Sequence, residues 1–441
     1  MPPVNPAKSH PGAADVLVVG AGPAGLMAAI AASERGRRVV VLEQLDRPGA
    51  KLLASGGGRC NLTNTLPAEA FMARFGRQGR FMEPALAALD SAALCRFFLR
   101  LGVATHAPDG MHVYPMSDSA VTVQRGLWRR ARALGAEVRL GVRVAGLWME
   151  AGRLRGLETS AGRVGAQQVI VATGGRGYPA LGGGTTGYDL ARQAGHTVVE
   201  PAPALVPLVV RETWVCSCAG VAVGGASLRI VLRGRSAAGV TGDVLFTHAG
   251  LSGPAVLDLS GDVSVLLAGL ATLARPQAVP WPAASPWRAG RKTVPLALDL
   301  TPETSADQWR RRLEEWRTSD PHKTVVGLLD RHLPRSLAAA LAALAGIGPG
   351  IRPPQVSARV AGHLAKLLTA LPLEAVGTEG WDRAMVTRGG VRLKEVDPHT
   401  LASRRAAGLS FAGEVLDLDG PSGGFNLQWA FSSGHLAGRC I

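Results

Sequence analysis

The sequence is poor in lysine, in tyrosine and in cysteine, and these shortages narrow what it can be. Only six of its 48 basic residues are lysine, so the formal charge of +15 rests on arginine. The arginines come singly or in short groups (Arg129 with Arg130, Arg310 with Arg311 and Arg312), never in a run of five. No clustered basic stripe marks a nucleic-acid footprint, so nucleic acid is not the expected partner. A solvated basic surface that also attracts anionic cofactors is the plainer reading. The five cysteines, Cys60, Cys95, Cys216, Cys218 and Cys440, are odd in number and scattered, which excludes a disulfide framework. No pair of CxxC motifs suggests zinc, so no metal is expected. Cys216 and Cys218 read as ordinary packing on a strand, and a reducing, cytoplasmic setting fits. No apolar run reaches the roughly 18 residues of a membrane span, and the N-terminus lacks a basic-then-apolar signal pattern.

What is present is a folding chain rich in glycine. Hydrophobic residues make up 47% and charged residues 18% of 441, which suits two or three globular domains. Residues 1–14 read as a disordered leader. From Asp15 a buried strand (Val16 to Val19), a glycine turn, an Ala-rich helix to about Arg35 and a second buried strand (Val39 to Leu42) follow in order. That unit opens an α/β, Rossmann-like domain whose first segment runs over 15–200. Helices are expected over Leu86 to Leu101 and Thr122 to Leu134. Three strands, Glu137 to Leu140, Val144 to Glu150 and Leu154 to Thr159, look like a small antiparallel meander. A β-rich insert follows over 201–303, a barrel or sandwich by its β-branched residues and turns. Within it the Ala/Pro/Trp-rich stretch from Leu267 to Arg291 reads as a long exposed loop. A helical insert covers 304–370, clearest at Ser336 to Leu344 behind Pro334. The second segment of the first domain, 371–441, returns to glycine-rich strand-then-helix grammar.

Three motifs carry chemistry. The first is Gly20-Ala21-Gly22-Pro23-Ala24-Gly25, lying between a buried strand and a helix, with Glu43 at the end of the next strand. Gly20 permits the tight turn, Gly22 admits a pyrophosphate, and Gly25 lets helix and strand pack. The helix N-terminus offers N–H groups and positive dipole. Glu43 is placed to accept from both hydroxyls of an adenosine ribose, and its charge disfavours NADP there. The second motif runs from Lys51 to Asn64 around Gly56-Gly57-Gly58. Lys51 and Arg59 supply cations, Ser55, Asn61 and Thr63 supply hydrogen-bond groups, and the glycines bring backbone close to a ligand. Cys60 has no CxxxxC partner, so thiol–disulfide chemistry is not expected. The third is the C-terminal run with Gly413, Glu414, Gly424, Asn426, Leu427 and Gln428, ahead of a helix of small residues. A helix starting near Asn426 would aim its dipole at an electron-rich ring such as a reduced flavin. The strand ending in Ala172-Thr173-Gly174-Gly175 adds a fourth turn to the cofactor candidates.

The strings SGGGRCNLTN, MVTRGGVRLKEVD and FAGEVLDLDGPSGGFNLQWAFSSG resemble those of the BaiN/YhiN-like flavoproteins, over the chain from Asp15 to its end. The resemblance implies a discontinuous FAD domain, a β-rich insert and a small helical insert. It also implies that Gly22, Glu43, Lys51, Arg59, Cys60, Asn61, Val144, Thr173, Gly413, Glu414, Asn426 and Gln428 sit at or near the flavin. The segment from Phe246 to Pro254 resembles another family string. Gly184-Thr185-Thr186-Gly187-Tyr188-Asp189-Leu190 and Gly110-Met111-His112-Val113-Tyr114-Pro115 depart from the usual strings, so no relative's substrate is carried over.

The expected function is that of an FAD-dependent oxidoreductase acting on a small or medium organic substrate. No second strand–GxGxxG–helix unit follows Gly174, so NAD(P)H would serve as a transient donor. A peroxide-forming amine oxidase and an RNA-modifying or RNA-binding flavoprotein are the alternatives. His248 is the candidate for proton transfer, with Thr247 and Ser252 shaping the substrate pocket; a structural histidine explains it equally. The oligomeric state is left open.

Overall fold

The computed structural model describes residues 14–232, 235–269, 277–278 and 293–441, which form two compact units. The leader over 1–13 lies outside the described residues, as does most of the Leu267 to Arg291 stretch. Ala14, assigned to the leader, instead opens the first strand.

The first unit comprises the described residues up to Pro201 and those from Val386 onward. Strand β1 (Ala14–Val19) is an apolar run with both faces covered, as a central parallel strand requires. Helix α1 (Pro23–Ser33) begins with Pro23 in its first turn, where the missing N–H costs nothing. Its residues from Ala24 to Ser33 are all buried, and small alanines let it pack on every side. Strand β2 (Val39–Leu42) returns parallel to β1. The parallel sheet runs in the order Glu137–Arg139, β2, β1, Gly162–Val171, Leu409–Phe411, the open doubly wound arrangement.

Two expectations change here. Glu137–Arg139 pairs parallel with β2 and belongs to the main sheet. The antiparallel meander is built from Val144–Glu150, Arg153–Thr159 and the first residues of Gly162–Val171. Three residues are too few for alternation to show which sheet they join. The helix expected over Leu86 to Leu101 is two helices, Glu83–Ala88 and Ser91–Arg100. Leu89 leaves the helical region, and the Asp90 carboxylate restarts the helix by accepting from the Ala93 amide at 2.7 Å.

The second unit covers the described residues from Ala202 to Met385. Six antiparallel strands close on themselves in the order Ala222–Leu232, Val294–Asp299, Leu371–Thr378, Leu208–Val210, Gly250–Ser252, Arg235–Phe246 and back to Ala222–Leu232. Closure removes the exposed edges of an open sheet. Pro254–Leu267, inside the stretch read as β-rich, is a helix entered through Gly253 and Pro254. The β-rich and helical inserts share one hydrophobic core, in which Trp309, Leu337 and Leu364 pack with Leu228, Leu296 and Leu373. The boundary set at 303/304 therefore does not separate two bodies, and Leu371–Thr378, expected to open the last segment, is a barrel strand. Among the described residues no helix is long and apolar enough to cross a membrane.

The C-terminal helix, Phe425–Arg439, lies against α1 inside the first unit. A Cβ on Gly434 would overlap the Ala24 carbonyl oxygen, and one on Gly438 the Ala28 carbonyl oxygen. The paired order, 434 with 24 and 438 with 28, makes the two helices parallel. Gly434→Ala is expected to cost about 1–3 kcal/mol by overpacking, read as a lowered urea midpoint with an unchanged slope; an unchanged midpoint would show that the helices separate freely.

Candidate functional site

The first-unit motifs converge on the open ends of the parallel strands. Gly20 has φ +99° and its amide donates to the Leu42 carbonyl at 2.8 Å, which turns the chain sharply from β1 into α1. A side chain at Gly25 would overlap the Gly20 carbonyl, so this turn fits only glycine there. Gly22 is the opposite case: a Cβ would meet nothing within 4 Å, so open space lies before the α1 N-terminus. No side chain caps that helix, leaving Pro23, Ala24 and Gly25 in a first turn whose dipole is open to an anion. The 172–175 turn passes directly over Gly20, where a Cβ would stand 2.7 Å from the Ala172 carbonyl oxygen.

Glu43 is buried at the end of β2. Its carboxylate accepts the Ala21 amide at 2.7 Å and the Leu45 amide at 2.9 Å, one bond on each oxygen. An ionised carboxylate has about four acceptor sites, so each oxygen retains one for a diol. Val144 is near this corner, in the strand that follows the bond from the Val142 amide to the Glu43 carbonyl at 2.8 Å.

Lys51, on the short helix Ala50–Ala54, donates to Glu414 Oε2 at 2.7 Å. The other Glu414 oxygen accepts the Thr387 amide at 2.9 Å, and Thr387 Oγ1 accepts the amides of Arg176 at 2.8 Å and Gly177 at 3.3 Å. A Cβ at Gly175 would overlap both Glu414 and Thr387. Four distant segments thus meet at one carboxylate. Thr387 lies within MVTRGGVRLKEVD, but a lone threonine carries no local sign of such a role in the sequence.

The glycine loop is left-handed at Gly56, Gly57 and Gly58, and at Cys60 as well. Arg59 is tied to Asp118 at 2.8 Å and its guanidinium stacks 4.3 Å over the Tyr114 ring. Ser55 Oγ donates to the Leu52 carbonyl at 2.7 Å. The Asn61 amide, with its nitrogen toward the Val113 and Thr63 carbonyls, accepts the Gly424 amide at 3.2 Å. Thr63 is buried, and its backbone packs so closely on Gly424 that a Cβ there would stand 2.5 Å from the Thr63 carbonyl. Asn426 closes its own turn, bonding both the amide and the carbonyl of Gly420 at 2.9 Å. Gln428 is buried and donates to the Leu89 carbonyl at 2.9 Å and to Ser432 Oγ at 2.8 Å. Asn426 therefore spends its amide on the protein, Gln428 spends its amide nitrogen while its Oε1 is buried without a partner among the described residues, and the helix start around Leu427 offers its backbone. No side chain caps that helix either.

The two uncapped N-termini bear on a cofactor directly. Gly434 is nine residues past Phe425 and lies beside Ala24, one residue past the α1 start at Pro23, so the C-terminal helix begins about 12 Å before the α1 start, at about 1.5 Å per residue. Both N-termini face the same way. One suits a pyrophosphate and the other an electron-rich ring further along the same molecule. The open space at Gly22 and the free acceptor positions on Glu43 fit an adenine dinucleotide extended between them.

His248, Thr247 and Ser252 lie in the second unit, around the turn between Arg235–Phe246 and Gly250–Ser252. The His248 ring is exposed and makes no hydrogen bond or ion pair among the described residues, while its carbonyl accepts from the Cys216 thiol. Thr247 Oγ1 accepts the Gly250 amide at 3.1 Å, which shapes the turn.

The first unit also holds a Ser–His–Glu constellation, with His196 and Glu395 buried and Ser403 half-buried. His196 Nε2 meets Ser403 Oγ at 2.6 Å, and Nδ1 lies 3.4 Å from Glu395. The His196 side chain is wholly buried, and Ser403 Oγ already accepts the amides of Arg405 and Ala406 at 3.0 and 2.9 Å. A hydroxyl so engaged braces a loop and does not attack a substrate. Burial alone would raise Glu395, but bonds from the Thr197 amide, Arg405 and the Thr197 hydroxyl hold it at about 2.

The HI0933-like protein Rossmann domain model matches residues 14–440. The chain is 33% identical over 426 residues to a 3-dehydro-bile acid delta(4,6)-reductase of Clostridium scindens, covering 96% of this chain and 97% of that protein. It is 30% identical over 419 residues to a ribosomal RNA dihydrouridine synthase of Escherichia coli, covering 95% and 96%. In fold it is similar to the 3-ketosteroid delta1-dehydrogenase of Sterolibacterium denitrificans, with a TM-score of 0.50 at 13% identity, covering 97% and 98%.

Two outcomes follow from this geometry. Burial pushes the Cys60 thiol up to about 12, so a disulfide thiol reagent should label exposed Cys216 and Cys440 in the folded protein and reach Cys60 only on unfolding. Early labelling of Cys60, located by peptide mapping, would contradict the packing of the loop. Glu395 stabilises the fold at pH above its ordinary 4.5, and that contribution is lost as pH falls toward 2. Glu395→Gln should lower stability at pH 7 by about 1–3 kcal/mol and flatten the acid limb of urea midpoint against pH; an acid limb as steep as the parent's would remove Glu395 from its cause.

Proposed function

The chain belongs to the HI0933-like Rossmann-domain family and is an FAD-dependent oxidoreductase, and from that premise we propose that it works as a reductase. It carries reducing equivalents from NAD(P)H to a small or medium organic acceptor. When bound, FAD supplies the two-electron relay between them. The observation that carries the reading is the pair of parallel, uncapped helix N-termini offset by about 12 Å, which suits one dinucleotide lying lengthwise. In this reading the α1 first turn would bind the pyrophosphate and Glu43 would hold the ribose diol. The C-terminal helix start would hold the electron-rich ring end, where its dipole favours negative charge. Lys51 and Glu414, paired to each other, fix the glycine loop against the 172–175 turn. With one dinucleotide fingerprint in the sequence, NAD(P)H comes and goes by the substrate's route.

The names of the two relatives described above support the reductive direction. A delta(4,6)-reductase and a dihydrouridine synthase each add hydrogen across a carbon–carbon double bond, so the bond class proposed for this chain is an activated alkene. His248, with Thr247 and Ser252, is the proposed proton-transfer group of the second unit. The five free thiols suit a cytoplasmic setting.

A second reading has ribosomal RNA as the acceptor, favoured by the +15 charge and by the Escherichia coli relative. A salt-dependent shift of ribosomal RNA fragments and dihydrouridine in the product would select it; no binding even at low salt would remove it.

The deciding measurement is the visible spectrum of the purified holoprotein under anaerobic NADH or NADPH. Bleaching by either, reversed by the alkene acceptor, is expected. If neither bleaches it while an amine does, with peroxide on readmitting air, the protein is an amine oxidase and the reductase reading falls. His248→Ala with normal FAD content should slow acceptor reduction; unchanged turnover would return His248 to a structural role.

A further inference from the structure

The first unit has a cavity of about 510 Å³ that takes none of the dinucleotide candidates. Its floor is carbon: Phe81, Val199, Leu393, Val396 and Pro398. Its rim is cationic, with Arg77 on the Gly76–Met82 turn, Lys394 on the Leu393–Glu395 turn, Arg392 just before that turn, and Arg404. The local sequence produces this split. Along Arg392-Leu393-Lys394-Glu395-Val396 the two cations are exposed while Leu393, Glu395 and Val396 are buried. Glu395 is held from within by Thr197 and Arg405, so the wall carrying the cations is anchored.

The charges at this rim are unbalanced. Among the described residues Arg77, Arg392 and Lys394 have no ion-pair partner, and Arg404 reaches Asp397 at 3.4 Å. The one carboxylate in the lining, Asp417, accepts from Gln78 at 3.0 Å and interacts with the charges of Arg388 and Arg392, so it offsets part of the Arg392 charge and leaves the four-cation rim net positive. A free phosphate would leave the carbon floor wet, and a neutral lipid would leave the cations uncompensated. The volume lies within the usual range of about 300–1,000 Å³ for small-molecule sites.

We propose that this cavity binds an amphipathic organic carboxylate, its apolar body on the Phe81–Leu393–Val396 floor and its carboxylate between Arg77 and the Arg392/Lys394 pair. Guanidinium groups match a carboxylate's planar geometry, which a lysine-only rim would not. The site is independent of the reaction proposed above, because binding is read without turnover.

The test uses the FAD-loaded full chain in equilibrium dialysis with labelled decanoate, and with decanol, inorganic phosphate and a short RNA as competitors. Saturable binding of one decanoate per chain is expected, with decanol weaker by roughly tenfold or more because it lacks the charge-assisted bonds. The double variant Arg392→Ser/Lys394→Ser should weaken binding by a similar factor at unchanged flavin spectrum. Arg77→Glu, on a separate element, should do so too and decides the matter if the double variant misfolds. Decanol competing as well as decanoate would reduce the site to an apolar patch. Displacement by phosphate or RNA at equal concentration would make it a general anion surface. Absence of saturation, or full binding by the variants, would also overturn the proposal.

Discussion

The first unit depends on the contact between two helices from opposite ends of the chain. Gly434 and Gly438 bring the C-terminal helix onto the backbone of α1 at Ala24 and Ala28. That contact covers α1, whose alanines alone bury little surface, and sets the offset of the two N-termini. Small residues on both partners are what allow it; a branched side chain at either glycine would force the axes apart. The same approach places Gly413 against Ala24, and its amide donates to Ser433 Oγ at 2.9 Å, so the Glu414 carboxylate is delivered beside Lys51 as a consequence of helix packing.

Polar groups around this frame are consumed in holding segments together. Glu414 collects Lys51 and Thr387, Asn61 joins the Thr63 strand to Gly424, and Gln428 reaches Leu89. What is left facing the open space is mostly backbone: two helix starts and glycine turns. Such a site recognises a dinucleotide by dipole and close approach, and it leaves the redox chemistry to the cofactor. The contrast with the His196 cluster is instructive. Its atoms meet at distances suited to catalysis, but the wholly buried His196 and the two backbone amides that Ser403 Oγ already accepts make it a brace.

The second unit follows a different rule. Its sheet closes by pairing Ala222–Leu232 with both Val294–Asp299 and Arg235–Phe246, and the helices that come later in the chain fill the same core. Strand and helical inserts that differ in local grammar therefore form one body, and the chain leaves it only after Leu371–Thr378 is paired.

How much of this was legible in the sequence depended on range. The β1–α1–β2 unit, its glycine turn and the position of Glu43 follow from buried runs and spacing within some thirty residues, where each residue's environment is set by its neighbours. Arg335–Leu344 behind Pro334 was legible for the same reason. The strings that resemble a flavoprotein family are likewise read without any fold. Only the tertiary structure decided that Glu137–Arg139 joins the main sheet, that the two inserts share a core, and that Thr387 links Glu414 to the 175–177 turn. It likewise decided that Gln428 spends its amide on Leu89 and that Arg59 pairs with Asp118. Each of those outcomes rests on partners distant in sequence, and local spacing carries no record of which distant group will come within about 3 Å of a given side chain.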